Sequence, residues 1–182
     1  MTPQRVHPVA LTGDLVALRE LTDGDLDAVH AIVGDPAVCQ TLIFQPKTLA
    51  ETVDYLTRAI QEAHQEPRTS YFLGVTRRDT AELIGTARLG LADYASGNIG
   101  YAIRHDQWNH GYATDATRVL IRFGIETLGL HRVWASHGPD NPSSGRVLLK
   151  AGMVYEGTLR HNVIDKGAWR DSLVYAHVVD RS

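Results

Sequence analysis

The run Trp108-Asn109-His110-Gly111-Tyr112-Ala113-Thr114-Asp115-Ala116 has the residue types of an anion receptor. It follows a strand-like segment, residues 98–104, and opens the longest amphipathic helix pattern in the chain. The first N–H groups of a helix have no internal partners, and the helix dipole adds partial positive charge there. Gly111 lets the main chain come close to a bulky ligand, and Ala113 keeps the first turn narrow. That arrangement suits a pyrophosphate, although one glycine before a helix is also ordinary turn punctuation. A second segment, Asp140-Asn141-Pro142-Ser143-Ser144, opens another helix, for which Asp140, Asn141 and Ser143 are all plausible caps. Nine histidines and one cysteine invite a search for a metal site. No His-Glu-x-x-His or paired-cysteine spacing occurs, so no metal is expected.

The order of these parts carries more than any one of them. The loop and its helix, a strand at 132–137, the 140–144 segment and a helix ending at Lys150-Ala151-Gly152 follow one another in sequence. Together they resemble the GCN5-related N-acetyltransferase (GNAT) superfamily, and within it the group around the ribosomal-protein alanine acetyltransferases. The resemblance runs from residue 15 to 179, from Leu18-Arg19-Glu20-Leu21-Thr22 to the closing Trp169-Arg170-Asp171 and Tyr175. In that superfamily the acetyl-CoA pyrophosphate sits on a Q/R-x-x-G-x-G/A loop. Gly111-Tyr112-Ala113 supplies the G-x-A part, and Trp108 stands at the Q/R position, as in a W-G-x-G-Y-A variant of the subgroup. Asn109 replaces a glycine of that variant.

The resemblance implies cofactor contacts at Trp108, Asn109, His110, Gly111, Tyr112, Ala113 and Thr114. It implies that the pantetheine arm pairs with the main chain of Tyr101-Ala102-Ile103, and that Asn141, opening an Asn-x-x-Ser pattern, touches the same arm. Ser144 then becomes the proton donor to the leaving thiolate, with helix capping as the competing role for this segment. Relatives carry a glutamate before an Ile-Gly-Tyr segment, where this chain has Asn98, or a carboxylate on the sixth strand, where it has Val163. His161 lies two residues before Val163, on the same face of a regular strand, and imidazole is the side chain suited to proton transfer near neutral pH. It is the candidate general base or head of a water relay; Asp93, His105 and Asp165 are alternatives.

Positioning these residues requires the following elements. Residues 1–13 read as a loose arm, and 15–20 as a strand. Thr22 caps a helix with Asp25 as capping-box partner, and Pro36 bounds it. Thr48-Leu49-Ala50-Glu51 is a second capping box, followed by Leu49, Val53, Leu56 and Ile60 at helical spacing, and Pro67 stops that helix. Strands over 70–77, 82–91 and 98–104 follow, with turns between them. The loop helix runs to about residue 128, with Gly129 as its stop. After the strand at 132–137 and the helix at 142–150, strands over 154–164 and 170–179 meet across Asp165-Lys166-Gly167. The pattern is one mixed α/β domain spanning residues 1–182. With the resemblance, it implies a GNAT fold: a mostly antiparallel sheet of about seven strands with a splayed centre, and about four helices. Trp134, Trp169 and Tyr175 are expected to pack on the sheet.

Composition narrows the function classes. A chain of 182 residues, 43% hydrophobic, can bury a sizeable core. A net charge of −3 without a basic block gives no footprint for nucleic acid. No apolar run approaches ~18 residues and no secretion signal opens the chain, so a cytoplasmic protein without membrane contact is expected. Lone Cys39 reads as a packed thiol. The expected activity is transfer of an acetyl group from acetyl-CoA to a primary amine, on a protein N-terminus or a small molecule. The alternatives are an acyl-CoA-binding protein with weak or no catalysis, or another acyl donor such as an acyl carrier protein. A homodimer is plausible from the resemblance. The acceptor is not readable; the loops at 38–47 and 91–97 would select it, and Leu42, Ile43 and Phe44 suggest an apolar lining.

Overall fold

Burial along the strands follows their two-residue period, and one face of the sheet is covered by each of two helix pairs. The computed structural model describes residues 7–40 and 42–179. A short hairpin of β1 (Ala10–Thr12) and β2 (Val16–Glu20) comes first. Three helices follow, α1 (Leu26–Val33), α2 (Pro36–Cys39) and α3 (Leu49–Ala63). Strands β3 (Ser70–Arg77), β4 (Leu83–Ala92) and β5 (Ser96–Ile103) then form an antiparallel meander. Helix α4 (Tyr112–Arg122) ends in a wider π turn over Phe123–Thr127. Strand β6 (Arg132–His137), helix α5 (Pro142–Lys150) and the hairpin of β7 (Val154–Asp165) and β8 (Ala168–Val178) complete the described chain. The strand order is β1-β2-β3-β4-β5-β6-β8-β7, with β5 and β6 parallel and the other neighbours antiparallel.

The sheet has eight strands rather than about seven, because residues 10–12 of the expected loose arm pair with β2. Residues 1–6 of that arm lie outside the described residues. Pro36 does more than bound α1: Asp35 accepts a hydrogen bond from the Ala37 N–H at 2.8 Å, and the proline takes the first position of a new short helix. Both capping boxes form, Thr22 with Asp25 and Thr48 with Glu51. Cys39 is buried, its thiol donating to the Val33 carbonyl. Among the three aromatics expected on the sheet, Tyr175 is buried, Trp134 half-buried and Trp169 62% exposed. Trp169 sits at the tip of the last hairpin, beyond the reach of the covering helices, and stacks on His161 instead.

One core cluster lies under α4 and α5 and includes Leu18, Leu73, Leu89, Leu120 and Leu148. The other lies under α1 and α3 and includes Leu21, Val29, Ile32 and Leu56. A single buried carboxylate ties the start of α4 to the β1–β2 turn. Asp115 accepts from the N–H groups of Asp14, Leu15 and Val16 at 3.2, 2.7 and 3.0 Å. Gly13 is the residue that permits this approach, since a methyl there would sit 2.4 Å from Asp115 Oδ2. An anion accepting several backbone donors is stabilised strongly, and its loss leaves three amides, the buried one of Val16 among them, without this partner. Asp115→Ala is therefore expected to lower the unfolding free energy by about 3 kcal/mol. Urea denaturation checks this: the midpoint falls while the slope stays, whereas an unchanged midpoint refutes the anchoring role.

Candidate active site

Strands β5 and β6 pair only from Ser96–Arg132 to Asn98–Trp134, and then part. Beyond that point β5 keeps β4 on one side, with Tyr101, Ala102 and Ile103 opposite Ala87, Thr86 and Gly85. Its other side has no strand. Asn98 closes the crotch of the fork, its Nδ2 donating to the Trp134 carbonyl at 3.4 Å. This is the splayed centre that the resemblance implied.

The loop after β5 is held by its own side chains. Trp108 Nε1 donates to the Ile103 carbonyl at 2.7 Å and fastens the loop to the strand end. Asn109 and Gly111 have φ of 65° and 85°. Both lie in the left-handed region, where glycine is unstrained and asparagine is among the better-tolerated residues. This explains why Asn109 can stand where the W-G-x-G-Y-A variant has glycine. In the first turn of α4, the Asp115 N–H donates to the Gly111 carbonyl at 3.0 Å. The N–H groups of Tyr112, Ala113 and Thr114 precede that bond and point out of the helix start.

Two cavities meet at the fork. The first, about 360 Å³, runs past Tyr101–Ile103, Trp108, Asn109, Gly111 and the first turn of α4, and along α5. Arg146 and Lys150 line it, one helical turn apart on α5, and offer positive charge opposite the loop amides. Sequence reasoning passed over this pair, though its four-residue spacing on a helix was a visible signal. The second cavity, about 500 Å³, is lined by Leu42, Ile43, Phe44, Tyr55 and Phe72 together with polar residues of β4, β5, β6 and β8. Leu42, Tyr101, Ala102, Asn141 and Ser144 border both cavities.

At that border the Tyr101 hydroxyl lies 2.9 Å from Ser144 Oγ. Burial pushes the Tyr101 phenol up to about 12, against a smaller opposing effect of the serine hydrogen bond. The phenol is therefore protonated at any working pH and can donate to Ser144 Oγ, which leaves the serine proton free for another acceptor. Asn141 is the cap of α5, its Oδ1 accepting from the Ser144 N–H at 3.1 Å. Capping and cavity lining coexist in this residue, because one amide oxygen serves the cap while the side chain still borders the cavities.

Two of the expected site residues stand apart. His110 is exposed and stacks on Tyr112 with 5.6 Å between ring centroids, and it lines neither cavity. His161 also lines neither. The expectation that it shares a face with Val163 fails, because the register of β7 shifts between Leu159 and Val163 and His161 adopts a φ of 47°. An irregular strand does not alternate, so two-residue spacing no longer means a common face. Val163 lines the second cavity while His161 lies over Trp169, ring centroids 6.4 Å apart. Of the alternatives, Asp93 and His105 are exposed and Asp165 is bound to Arg170 at 3.0 Å. The imidazole that does border the second cavity is His137, which sequence reasoning missed. It is buried, bonded through Nδ1 to the Gly138 carbonyl at 2.7 Å and through Nε2 to the Tyr175 hydroxyl at 3.4 Å. Among the described residues no group of three metal-ligating side chains occurs, and no helix is long and apolar enough to cross a membrane.

The profile of the acetyltransferase (GNAT) domain matches residues 16–154, which takes in both halves of the fork and the whole loop. The chain belongs to the GNAT acetyltransferase family. Over 173 residues this acetyltransferase is 33% identical to the N-acetyltransferase YoaA of Bacillus subtilis (strain 168), covering 94% of this chain and 97% of that protein. It is 29% identical over 120 residues to the ribosomal protein uS5-alanine N-acetyltransferase of Escherichia coli (strain K12), which is 64% of this chain and 61% of that one. Mycobacterium smegmatis RimJ, solved in complex with CoA-disulfide, has the same fold, with a TM-score of 0.81 at 21% identity over 99% of this chain and 91% of that chain.

The loop geometry yields a direct test. Asn109→Gly is expected to leave stability unchanged or slightly raised, while Asn109→Ala costs about 1 kcal/mol, because alanine pays the full steric penalty of a left-handed backbone. Urea unfolding of the two variants separates them, and equal midpoints would mean that the loop does not hold this conformation in solution.

Proposed function

We propose that this acetyltransferase binds acetyl-CoA in the first cavity and transfers its acetyl group directly to a primary amine held in the second. The observation that carries the reading is the junction of the two cavities at the Tyr101–Ser144 hydroxyl pair. The unpartnered amides of Tyr112, Ala113 and Thr114, with Arg146 and Lys150 opposite, fit a pyrophosphate. The open side of β5 at Tyr101–Ile103 suits a pantetheine arm that pairs like an extra strand, in the manner of strand addition. Trp108 and Asn109 shape the loop around it. The complex of Mycobacterium smegmatis RimJ with CoA-disulfide supports a cofactor of this class.

In the proposed reaction the amine nitrogen attacks the thioester carbonyl carbon, an N–C bond forms and the C–S bond breaks. Main-chain donors on the open edge of β5 stabilise the oxygen as it becomes negative. Ser144 gives its proton to the departing thiolate and recovers one from Tyr101, which is replenished from solvent. The ammonium proton leaves to water, since among the described residues no carboxylate lines the second cavity and His137 is engaged with the Gly138 carbonyl and the Tyr175 hydroxyl. Much of the acceleration then comes from holding the two substrates together.

Ser144→Ala is expected to lower kcat about 10- to 100-fold, while acetyl-CoA affinity measured by calorimetry stays within about twofold. Full activity in that variant would leave the serine hydroxyl without a role in the transfer. Calorimetry with acetyl-CoA also tests the first step, for a protein that takes up no acetyl-CoA cannot follow this route.

The pH dependence follows from the same geometry. With solvent as the proton acceptor, kcat/KM rises with pH until the acceptor amine is itself neutral. Tyr101, pushed up to about 12, adds no limb below that range. His161→Ala is expected to reproduce the wild-type profile, and loss of a limb near pH ~6.5 in that variant would return the histidine to the mechanism.

A further inference from the structure

The second cavity has a one-sided charge. Among the described residues its lining includes Arg88 and Arg170 and no aspartate, glutamate or lysine. Arg88 is also an exception in its pairing. Every other half-buried arginine among the described residues, at 19, 68, 77, 104, 132 and 170, meets a carboxylate. Arg88 meets none: its Nε donates to Ser70 Oγ at 3.1 Å, and its guanidinium lies 5.4 Å from the centre of the Phe72 ring. The terminal nitrogens lie over Gly90, where an added methyl would come within 2.6 Å of Nη2. Gly90 is the register partner of Asn98, and Arg88 that of Gly100, so the guanidinium shares the sheet face on which Asn98 stands. Arg170 borders the same cavity from β8; its Nη1 donates to Asp165 at 3.0 Å, while its buried Nε has no partner.

The terminal donors of Arg88 have no protein partner and are not sealed from solvent, so an anion in the cavity would gain charge-assisted hydrogen bonds from them. Resting on the transfer reading above, we propose that the acceptor is an anionic amine, a primary amine whose carboxylate or phosphate-type oxygens are held by Arg88 with Arg170 as the second donor bordering the cavity. The apolar wall of Leu42, Phe44 and Phe72 takes the rest of such a molecule. A polyamine meets the opposite charge pattern, since its extra cations would face the Arg88 guanidinium, which has no carboxylate partner, and among the described residues no carboxylate lines the cavity.

The test uses the whole enzyme with acetyl-CoA and a matched set of acceptors: leucine, its aminophosphonate analogue, leucinamide, isoamylamine and spermidine. The expected result is that leucine, the phosphonate or both exceed leucinamide and isoamylamine in kcat/KM by about 100-fold, the effect falling on KM. The two acids distinguish a carboxylate site from a phosphate site. Arg88→Gln shrinks that preference towards unity, and Arg88→Lys restores part of it. Gly90→Ala does the same by displacing the guanidinium, and serves if Arg88→Gln does not fold. If neither leucine nor its phosphonate exceeds leucinamide, or if Arg88→Gln slows all five acceptors alike, the proposal is overturned. Calorimetry of N-acetyl-leucine, its phosphonate counterpart and N-acetyl-leucinamide into the enzyme–CoA complex separates the two levels of the reading. Arg88-dependent binding of an anionic product with no turnover of any amine would support the anion site and overturn the transfer. Turnover without preference for the anion would leave the transfer standing and sink the anion site.

Discussion

The parting of β5 and β6 is the constraint on which the rest of the structure depends. Two parallel strands that separate after three paired residues leave main-chain donors and acceptors facing a gap. Buried backbone groups without partners are costly, so a gap of this kind persists only if something fills it or water reaches it. Here both cavities open along it, sharing Tyr101 and Ala102 of β5. Asn98 clasps the last paired position by donating to Trp134, which fixes where the fork begins. The N-terminus of α5 sits over the opening, and the cap that starts this helix brings Ser144 against Tyr101. Fork, cap and hydroxyl pair are consequences of one break in the ladder.

The loop that follows β5 is held with its amides outward by contacts of its own residues. Three devices in the sequence achieve this: the Trp108 indole anchored to Ile103, the left-handed residues Asn109 and Gly111, and the Asp115 carboxylate. Asp115 does not point at the loop's concave side. It reaches back to three amides between β1 and β2, tying the first turn of α4 to the sheet over a sequence separation of about a hundred residues. An acidic side chain in the first turn also suits the helix dipole, while its turn away from the cavity avoids repelling an anion there. The first turn is thus rigid on one side and available on the other, which is what preorganised anion binding requires.

Local rules carried much of this architecture. Strands β3 and β6 and helix α5 have the ends that pattern and caps imply, because Gly, Pro and Asn at their borders act within a few residues. The site was legible where it is built from contiguous residues, as in the loop and the Asn141–Ser144 segment. It was not legible where it depends on register. The shift inside β7 turned His161 away from the cavity that Val163 borders, and nothing in the composition of that strand announces a bulge. Arg88, Arg170 and His137 come from three strands distant in sequence, and their meeting in one cavity is a property of the sheet order. The short β1 escaped notice for a related reason, since three residues are too few for a period.

The charge pattern of the second cavity also bears on why Asn98 is neutral. A glutamate there would stand on the same face as Arg88, beside a guanidinium that lies over its register partner Gly90. The two would pair, lowering the carboxylate's affinity for a proton and satisfying the arginine at once. Such a glutamate would be a poor base, and such an arginine would have little left to offer a substrate. With asparagine at the fork, the side chain holds the strands together and the guanidinium keeps its terminal donors. Under the proposed reading the chain has exchanged a side-chain base for recognition of an anion. That exchange is chemically tolerable for an amine whose own deprotonation by water precedes attack.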